Sequence, residues 1–167
     1  VDQDVTLTLL GANDALYLDK DNSTFTANIT EDSTTYTITQ DIALKHLDND
    51  AVVTYTSINY MGSTHTSQLG ELTEIKTKTN GDDFSDKALT SQWTYTVDNA
   101  DLQFLGEGET LTETYQIILT DNKSNIIVQS ITLTLTGDND QTVVSGTPAT
   151  SVAEDSAYSF TPTVSDI

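Results

Sequence analysis

The chain has no cysteine and no arginine among its 167 residues. Without cysteine there are no disulfides, no thiolate zinc sites and no cysteine nucleophile. Basic and acidic residues number 6 and 26, for a formal net charge of −20. Such a shortage of cations disfavours nucleic acid, because a phosphate backbone is held by basic residues that displace its counterions. It equally disfavours an anionic membrane surface. No apolar run approaches the ~20 residues that cross a bilayer, so membrane insertion is not expected. No signal peptide opens the chain, which points to a mature fragment or another export route. The eight glycines are scattered and build no phosphate-cradling loop. Apolar residues make up 36% and aromatics 7%, a lean supply. A chain of this length can still bury a core with it.

What the sequence does have is threonine alternating with apolar residues. Ser, Thr, Asn and Asp compete for backbone hydrogen bonds and disfavour helix interiors. β-branched residues in alternation favour strands. The composition reads as an all-β, acidic, extracellular-type protein. Disorder is the competing reading for so charged a chain, and the regular alternation argues against it.

An internal repeat organises the chain. Residues 5–14 read VTLTLLGAND and residues 131–140 read ITLTLTGDND, identical at seven of ten positions. Glu31-Asp32-Ser33, followed by Tyr36 and Ile38, recurs as Glu154-Asp155-Ser156, followed by Tyr158 and Phe160. The order implies that residues 1–14 are the last strand of a preceding repeat. Residues 15–140 are then one complete repeat, and residues 141–167 the truncated start of the next.

Period-two alternation gives the strands. Val5, Leu7 and Leu9 share one face, with Thr6 and Thr8 opposite. Tyr36 and Ile38 alternate with threonines. Val53 and Tyr55 face away from Val52 and Thr54. Trp93, Tyr95 and Val97 form one set, Tyr115, Ile117 and Leu119 another, and Ile127, Ile131, Leu133 and Leu135 a further one. Leu69, Leu72 and Ile75 suggest a twisted strand or hairpin. Asn80 to Asp83 reads as an acidic turn, and residues 101–108 have room for one helical turn. About seven strands in one repeat predict a Greek-key β-sandwich of immunoglobulin or cadherin type. Its core should hold Trp93, Tyr95, Val97, Ile117, Leu119, Leu133 and Leu135. Tyr115 is either the hydroxyl anchor of a crossover loop, as in a tyrosine corner, or an ordinary core residue.

Four blocks carry a family resemblance: Trp93-Thr-Tyr-Thr-Val-Asp98-Asn99, Leu105-Gly106-Glu-Gly108-Glu109-Thr-Leu111-Thr, Leu119-Thr120-Asp121 and Gly137-Asp138-Asn139-Asp140. Together they resemble the VCBS-type, cadherin-like repeat found in tandem in large secreted bacterial adhesins of the RTX type. The likeness spans most of residues 15–140 and is strongest from 92 to 140. The proline usual after Asn-Asp is replaced by Ala15 and Gln141, and residues 56–90 do not match closely. The resemblance implies a calcium-stabilised extender module of a bacterial cell-surface adhesin, exported by a type I system. Its partners would be neighbouring repeats of the same chain.

Calcium takes six to eight oxygen ligands, and the acidic clusters supply such oxygens. The resemblance places Asn13, Asp14, Asp48 and Asp50 at a first junction. Asp138, Asn139, Asp140 and Glu154 fall at a second, which Asp166 would extend. Glu31 and Asp121 should reach such a site from one end of the sandwich or the other. The plain alternative for each cluster is a solvated loop.

An enzyme is not expected. His46 and His65 lie in no nucleophile or metal motif, and among 26 acids a pair close enough for glycoside hydrolysis carries no information. One rival reading is a calcium-dependent module that recognises a sugar or peptide through Tyr60, Met61, His65 and the Gly81-Asp82-Asp83 loop. Another is self-association through the two end segments, burying Val143, Val144, Tyr158 and Phe160.

Overall fold

A computed structural model describes residues 3–33, 36–46, 53–80 and 87–165. Its strands are β1 (Tyr17–Asp19), β2 (Thr26–Thr30), β3 (Thr37–His46), β4 (Val53–Ser63), β5 (Glu71–Asn80), β6 (Lys87–Thr96), β7 (Thr110–Asp121), β8 (Ile126–Thr136), β9 (Val143–Ser145) and β10 (Thr163–Ser165). Eight of them form two four-stranded sheets, ordered β1-β3-β6-β5 and β2-β8-β7-β4. Neighbours within both sheets are antiparallel except β2 and β8, which run parallel with Ala27 opposite Leu133 and Ile29 opposite Leu135. The chain enters the first sheet as β1, crosses to the second as β2 and returns as β3. This is the strand order of an immunoglobulin-like Greek-key sandwich with its first strand divided between the sheets. The protein is an all-β sandwich of that class.

The alternation of the sequence becomes the two faces of each sheet. In β6 and just beyond it, Trp93, Tyr95 and Val97 are buried. In β7, every second residue from Leu111 to Asp121 is buried. β8 adds Ile131, Leu133 and Leu135, and β3 adds Ile42 and Leu44. All seven residues expected in the core lie in it. The Trp93 indole N–H donates to the Thr24 carbonyl at 2.9 Å, so its one polar atom is satisfied. In β4 a bulge between Tyr55 and Ser57 shifts the register against β7. The inward phase changes there, so Val53 and later Ile58 and Tyr60 pack towards the core. The helical turn expected within residues 101–108 falls earlier, as a 3-10 turn at Asn99–Asp101. It is followed by tight turns that bury Leu102 and Leu105.

Tyr115 is both things the sequence left open. Its ring is buried in the core, 5.4 Å from Tyr60 and 6.0 Å from Tyr95 between centroids. Its hydroxyl donates to the Gly70 carbonyl at 2.6 Å. Gly70 closes the segment 64–70 that carries the chain from β4 in one sheet to β5 in the other. The anchored crossover is therefore the one between β4 and β5.

The strand expected at residues 5–9 is not observed, and residues 3–15 are irregular and exposed. A lone strand leaves its backbone groups unpaired and gains nothing by being extended. The closely similar β8 is a strand because β2 and β7 flank it. At the other end, β9 and β10 pair antiparallel as a separate two-stranded sheet with every residue exposed.

Candidate functional site

β2 and β8 end side by side, and the Glu31 N–H extends their ladder to the Thr136 carbonyl at 2.8 Å. Beyond that point the two segments are linked at the end of the sandwich, where the Asp138 N–H bonds to the Glu31 carboxylate. Glu31 is buried. Its Oε1 accepts from the Gln103 side-chain amide at 2.7 Å, and its Oε2 from the Asp138 N–H at 3.3 Å. Asp32 follows in the left-handed region, at φ 51°. The Asp32 carboxylate accepts from the Asn99 amide at 2.7 Å, while its N–H donates to Asn99 Oδ1 at 3.1 Å. Asp138 Oδ1 accepts the Asn139 N–H at 2.9 Å, and the Asn139 amide donates to the Asp140 carbonyl at 3.1 Å.

A backbone clasp positions this turn. Gly137 N–H donates to the Glu109 carbonyl, and Gly108 N–H donates to the Gly137 carbonyl. The approach is so close that a Cβ on Gly137 would sit 2.3 Å from the Gly106 carbonyl oxygen. The Gly of the repeated G-x-N-D motif is thus required at this copy by contact with backbone.

The electrostatics are unfavourable to a bare carboxylate. Burial raises the pKa of Glu31, and the neighbouring charges of Asp140, Asp32 and Asp138 raise it further, against the bond from the Asp138 N–H. Tyr36 is raised as well, by burial and then by Asp32 and Glu31. Glu31, Asp32, Asp138 and Asp140 therefore share one end of the molecule. Among the described residues, no group of three or more acidic or histidine side chains is already placed to hold a metal ion. The donor chemistry nevertheless suits a hard cation, being all oxygen. Turning over the Gln103 amide would present an oxygen where its nitrogen now donates.

Asp121 lies at the opposite end of β7 and β8. Its buried carboxylate accepts from the N–H groups of Lys123 at 2.9 Å and Asn125 at 2.7 Å, and from the Asn125 amide. These bonds turn the β7–β8 hairpin. The Asn125 amide also reaches the Asp14 carbonyl at 3.4 Å, which sets Asp14 at this end. Asn13 is exposed beside it in sequence. Asp48, Asp50 and Asp166 lie outside the described residues. Glu154 is exposed in the C-terminal segment. The structure thus gathers Glu31, Asp138 and Asp140 at one end and Asp14 and Asp121 at the other. Gln103 was not foreseen at the site. Asp32 was legible as the second residue of the repeated Glu-Asp-Ser, whereas Gln103 had no sequence signal.

Of the residues of the rival sugar or peptide reading, Tyr60 and Met61 face opposite ways on β4. Tyr60 packs on Tyr115 beside a groove of about 420 Å³ between β4 and β5, whereas Met61, its neighbour in the strand, is exposed. His65 stacks on Phe104 at 4.7 Å. Gly81, Asp82 and Asp83 lie outside the described residues.

The fold and this end define an immunoglobulin-like sandwich with an acidic pole. No protein-family model matches the chain, and no curated protein matches it either. Among solved structures, it is similar to the CooA pilin subunit from enterotoxigenic Escherichia coli, at 13% identity and a TM-score of 0.43, covering 75% of this chain and 99% of that one. It is also similar to the secreted serine protease VesC from Vibrio cholerae, at 8% identity and a TM-score of 0.36, covering 83% of this chain and 30% of that one. Superpositions this loose say nothing about what the chain does.

Proposed function

We infer that the chain is a non-catalytic structural module of a bacterial cell-surface adhesin, exported by a type I system and stiffened by calcium at its acidic pole. The observation that carries this reading is Glu31, a buried carboxylate whose neighbours within the turn are Asp32, Asp138 and Asp140. Its hydrogen-bond partners there are the neutral amides of Gln103 and Asp138. Like charges so placed repel, and a divalent cation among them converts repulsion into attraction. The internal repeat and the VCBS-type resemblance support a place in a tandem array. Extracellular calcium modules bind at roughly 10⁻⁴–10⁻³ M, so such a site would stay empty inside the cell and fill outside it.

The test is thermal unfolding with calcium raised from a chelated solution, with magnesium as control. At about one hundred times Kd an ion bound only by the folded state adds about 2.7 kcal/mol. For a chain of this size that amounts to a rise in Tm of roughly 5–10 °C. Glu31→Gln combined with Asp138→Asn should abolish the rise. Equal shifts in magnesium, an equal shift in the double variant, or no shift at all would overturn the assignment.

A further inference from the structure

Charge is divided unevenly between the two sheets. β2, β4 and β8 contain no charged residue, and the two in β7, Glu113 and Asp121, are buried. The outer face of the sheet β2-β8-β7-β4 is therefore neutral, in a chain whose acids outnumber its cations 26 to 6. The other sheet follows the composition, with Asp41 and Glu71 exposed on its strands and Lys45 paired to Asp19.

In place of charge, the neutral face carries a grid of threonine. Thr112 of β7 stands opposite Thr134 of β8, which stands opposite Asn28 of β2. Two residues either way along the strands, the corresponding trios are threonine throughout. Further along, Ile118 stands opposite Val128 and Thr120 opposite Ile126, and both Val128 and Ile126 are exposed. The chain enters the sandwich beside Asn125 and leaves it beyond Thr136, next to Glu31, at the opposite end. The face thus runs along the side of the sandwich, away from both junctions of a tandem array.

We propose that two copies of the chain pack side by side through this face, sheet against sheet. Its chemistry selects a second copy as the occupant. Two molecules of net charge −20 repel wherever their carboxylates meet, and on this face they meet with none. A threonine hydroxyl both donates and accepts, so a threonine surface hydrogen-bonds to its own image, whereas carboxylates only accept. β-branched side chains are stiff, so contact removes little rotamer freedom. The area also suffices. β4, β7 and β8 are 11, 12 and 11 residues long, beside the 5 of β2. At ~3.4 Å per residue and ~4.8 Å between strands the face covers roughly 600 Å². A standard interface takes ~800 Å² from each partner, so the contact is of the size that pairs reversibly. The same patch serves both copies, which makes the contact isologous and closes it at two.

The test is sedimentation equilibrium in chelator at about 1 M sodium chloride, where the screening length is ~3 Å. The mass should rise with concentration from 18.1 kDa to twice that value and stop there. Val128→Lys with Thr134→Lys makes the net charge less negative, yet should hold the chain at the monomer mass by setting like charges into the contact. Thr94→Lys, at the matching outward position of β6, should leave pairing intact. The chain has no cysteine, so single thiols report on each face separately. Maleimide labelling of Thr134→Cys should slow several-fold between dilute and concentrated protein, while that of Thr94→Cys should not. This second readout holds even where the lysine pair disturbs folding. A constant monomer mass, growth beyond two copies, pairing that survives in the folded lysine variant, or equal protection of the two thiols would overturn the proposal. Chelator is present throughout, so these outcomes are separate from failure of the calcium assignment.

Discussion

Glu113 is a fully buried carboxylate whose tolerance in the core has a visible cause. It accepts from the N–H groups of Leu69 at 2.6 Å and Gly70 at 3.4 Å and from the hydroxyl of Tyr95 at 2.8 Å, with the Tyr115 hydroxyl oxygen 3.0 Å away. Three donors replace the water that burial removes. The same arrangement keeps both tyrosines protonated. Burial first, and then the Glu113 carboxylate, push Tyr95 and Tyr115 well above the ordinary tyrosine range. In the unfolded chain these hydroxyls lose their protons near pH 10. Above that pH the folded state holds more protons than the unfolded state, so stability falls as pH rises. The contribution is fully present below about pH 10 and declines by about 1.4 kcal/mol per pH unit for each tyrosine. Tyr115→Phe should reduce the alkaline slope by that amount. It should also cost about 1 kcal/mol at neutral pH, because the Gly70 carbonyl loses one of its two donors and keeps the Gln68 amide at 2.8 Å. Urea unfolding of both proteins across the alkaline range measures the two effects. An unchanged slope would mean that Tyr115 ionises alike in both states.

Elements here are set by who stands next to whom, as the two glycines of the repeated motif illustrate. A methyl at Gly137 meets the Gly106 and Leu105 carbonyl oxygens at 2.3 and 2.6 Å, and backbone cannot step aside cheaply. The same methyl at Gly11 meets nothing. Gly137→Ala should therefore destabilise by about 1–3 kcal/mol, as overpacking does, while Gly11→Ala changes little. Denaturant midpoints of the two variants check this, and equal effects would refute the role of the clasp. The pair also shows what the sequence can and cannot say. Alternation made β6, β7 and β8 legible, because Trp93, Tyr95, Ile117 and Leu133 follow the period of a pleated strand. The same parity places Glu113 in the core, in phase with Leu111 and Tyr115. The β4 bulge was hidden because it depends on pairing with β7. Residues 5–9 have a strand's pattern and no strand, since pattern supplies a face but not a neighbour. At the candidate site, Glu31 and Asp138 were legible as repeated motifs. Asp121 was legible only as an oxygen donor, and its bonds to Lys123 and Asn125 belong to a hairpin whose turn is local geometry.

Across the whole molecule, the charge of −20 has to be confined in a small volume. A folded chain of this length has a radius of gyration of about 15 Å. At about 0.01 M salt the screening length is ~30 Å, so each carboxylate feels most of the others. Unfolding spreads the charges and relieves the repulsion, which makes low salt destabilising. Raising sodium chloride to about 0.15 M shortens the screening length to ~8 Å and should raise Tm. The Lys45–Asp19 ion pair, the only one among the described residues, at 3.3 Å, works in the other direction, but a single partly exposed pair contributes little. The net effect of salt should therefore be stabilising. Screening acts on the exposed surface and much less on the buried Glu31 carboxylate. A calcium response that survives at about 0.15 M salt then belongs to the acidic pole, and one that vanishes there was only ionic strength. Melting curves over a sodium chloride series, each repeated with and without calcium, separate the two contributions. A Tm indifferent to salt would show that the surface carboxylates are too far apart to repel, leaving the burial of Glu31 as the only electrostatic cost that a cation relieves.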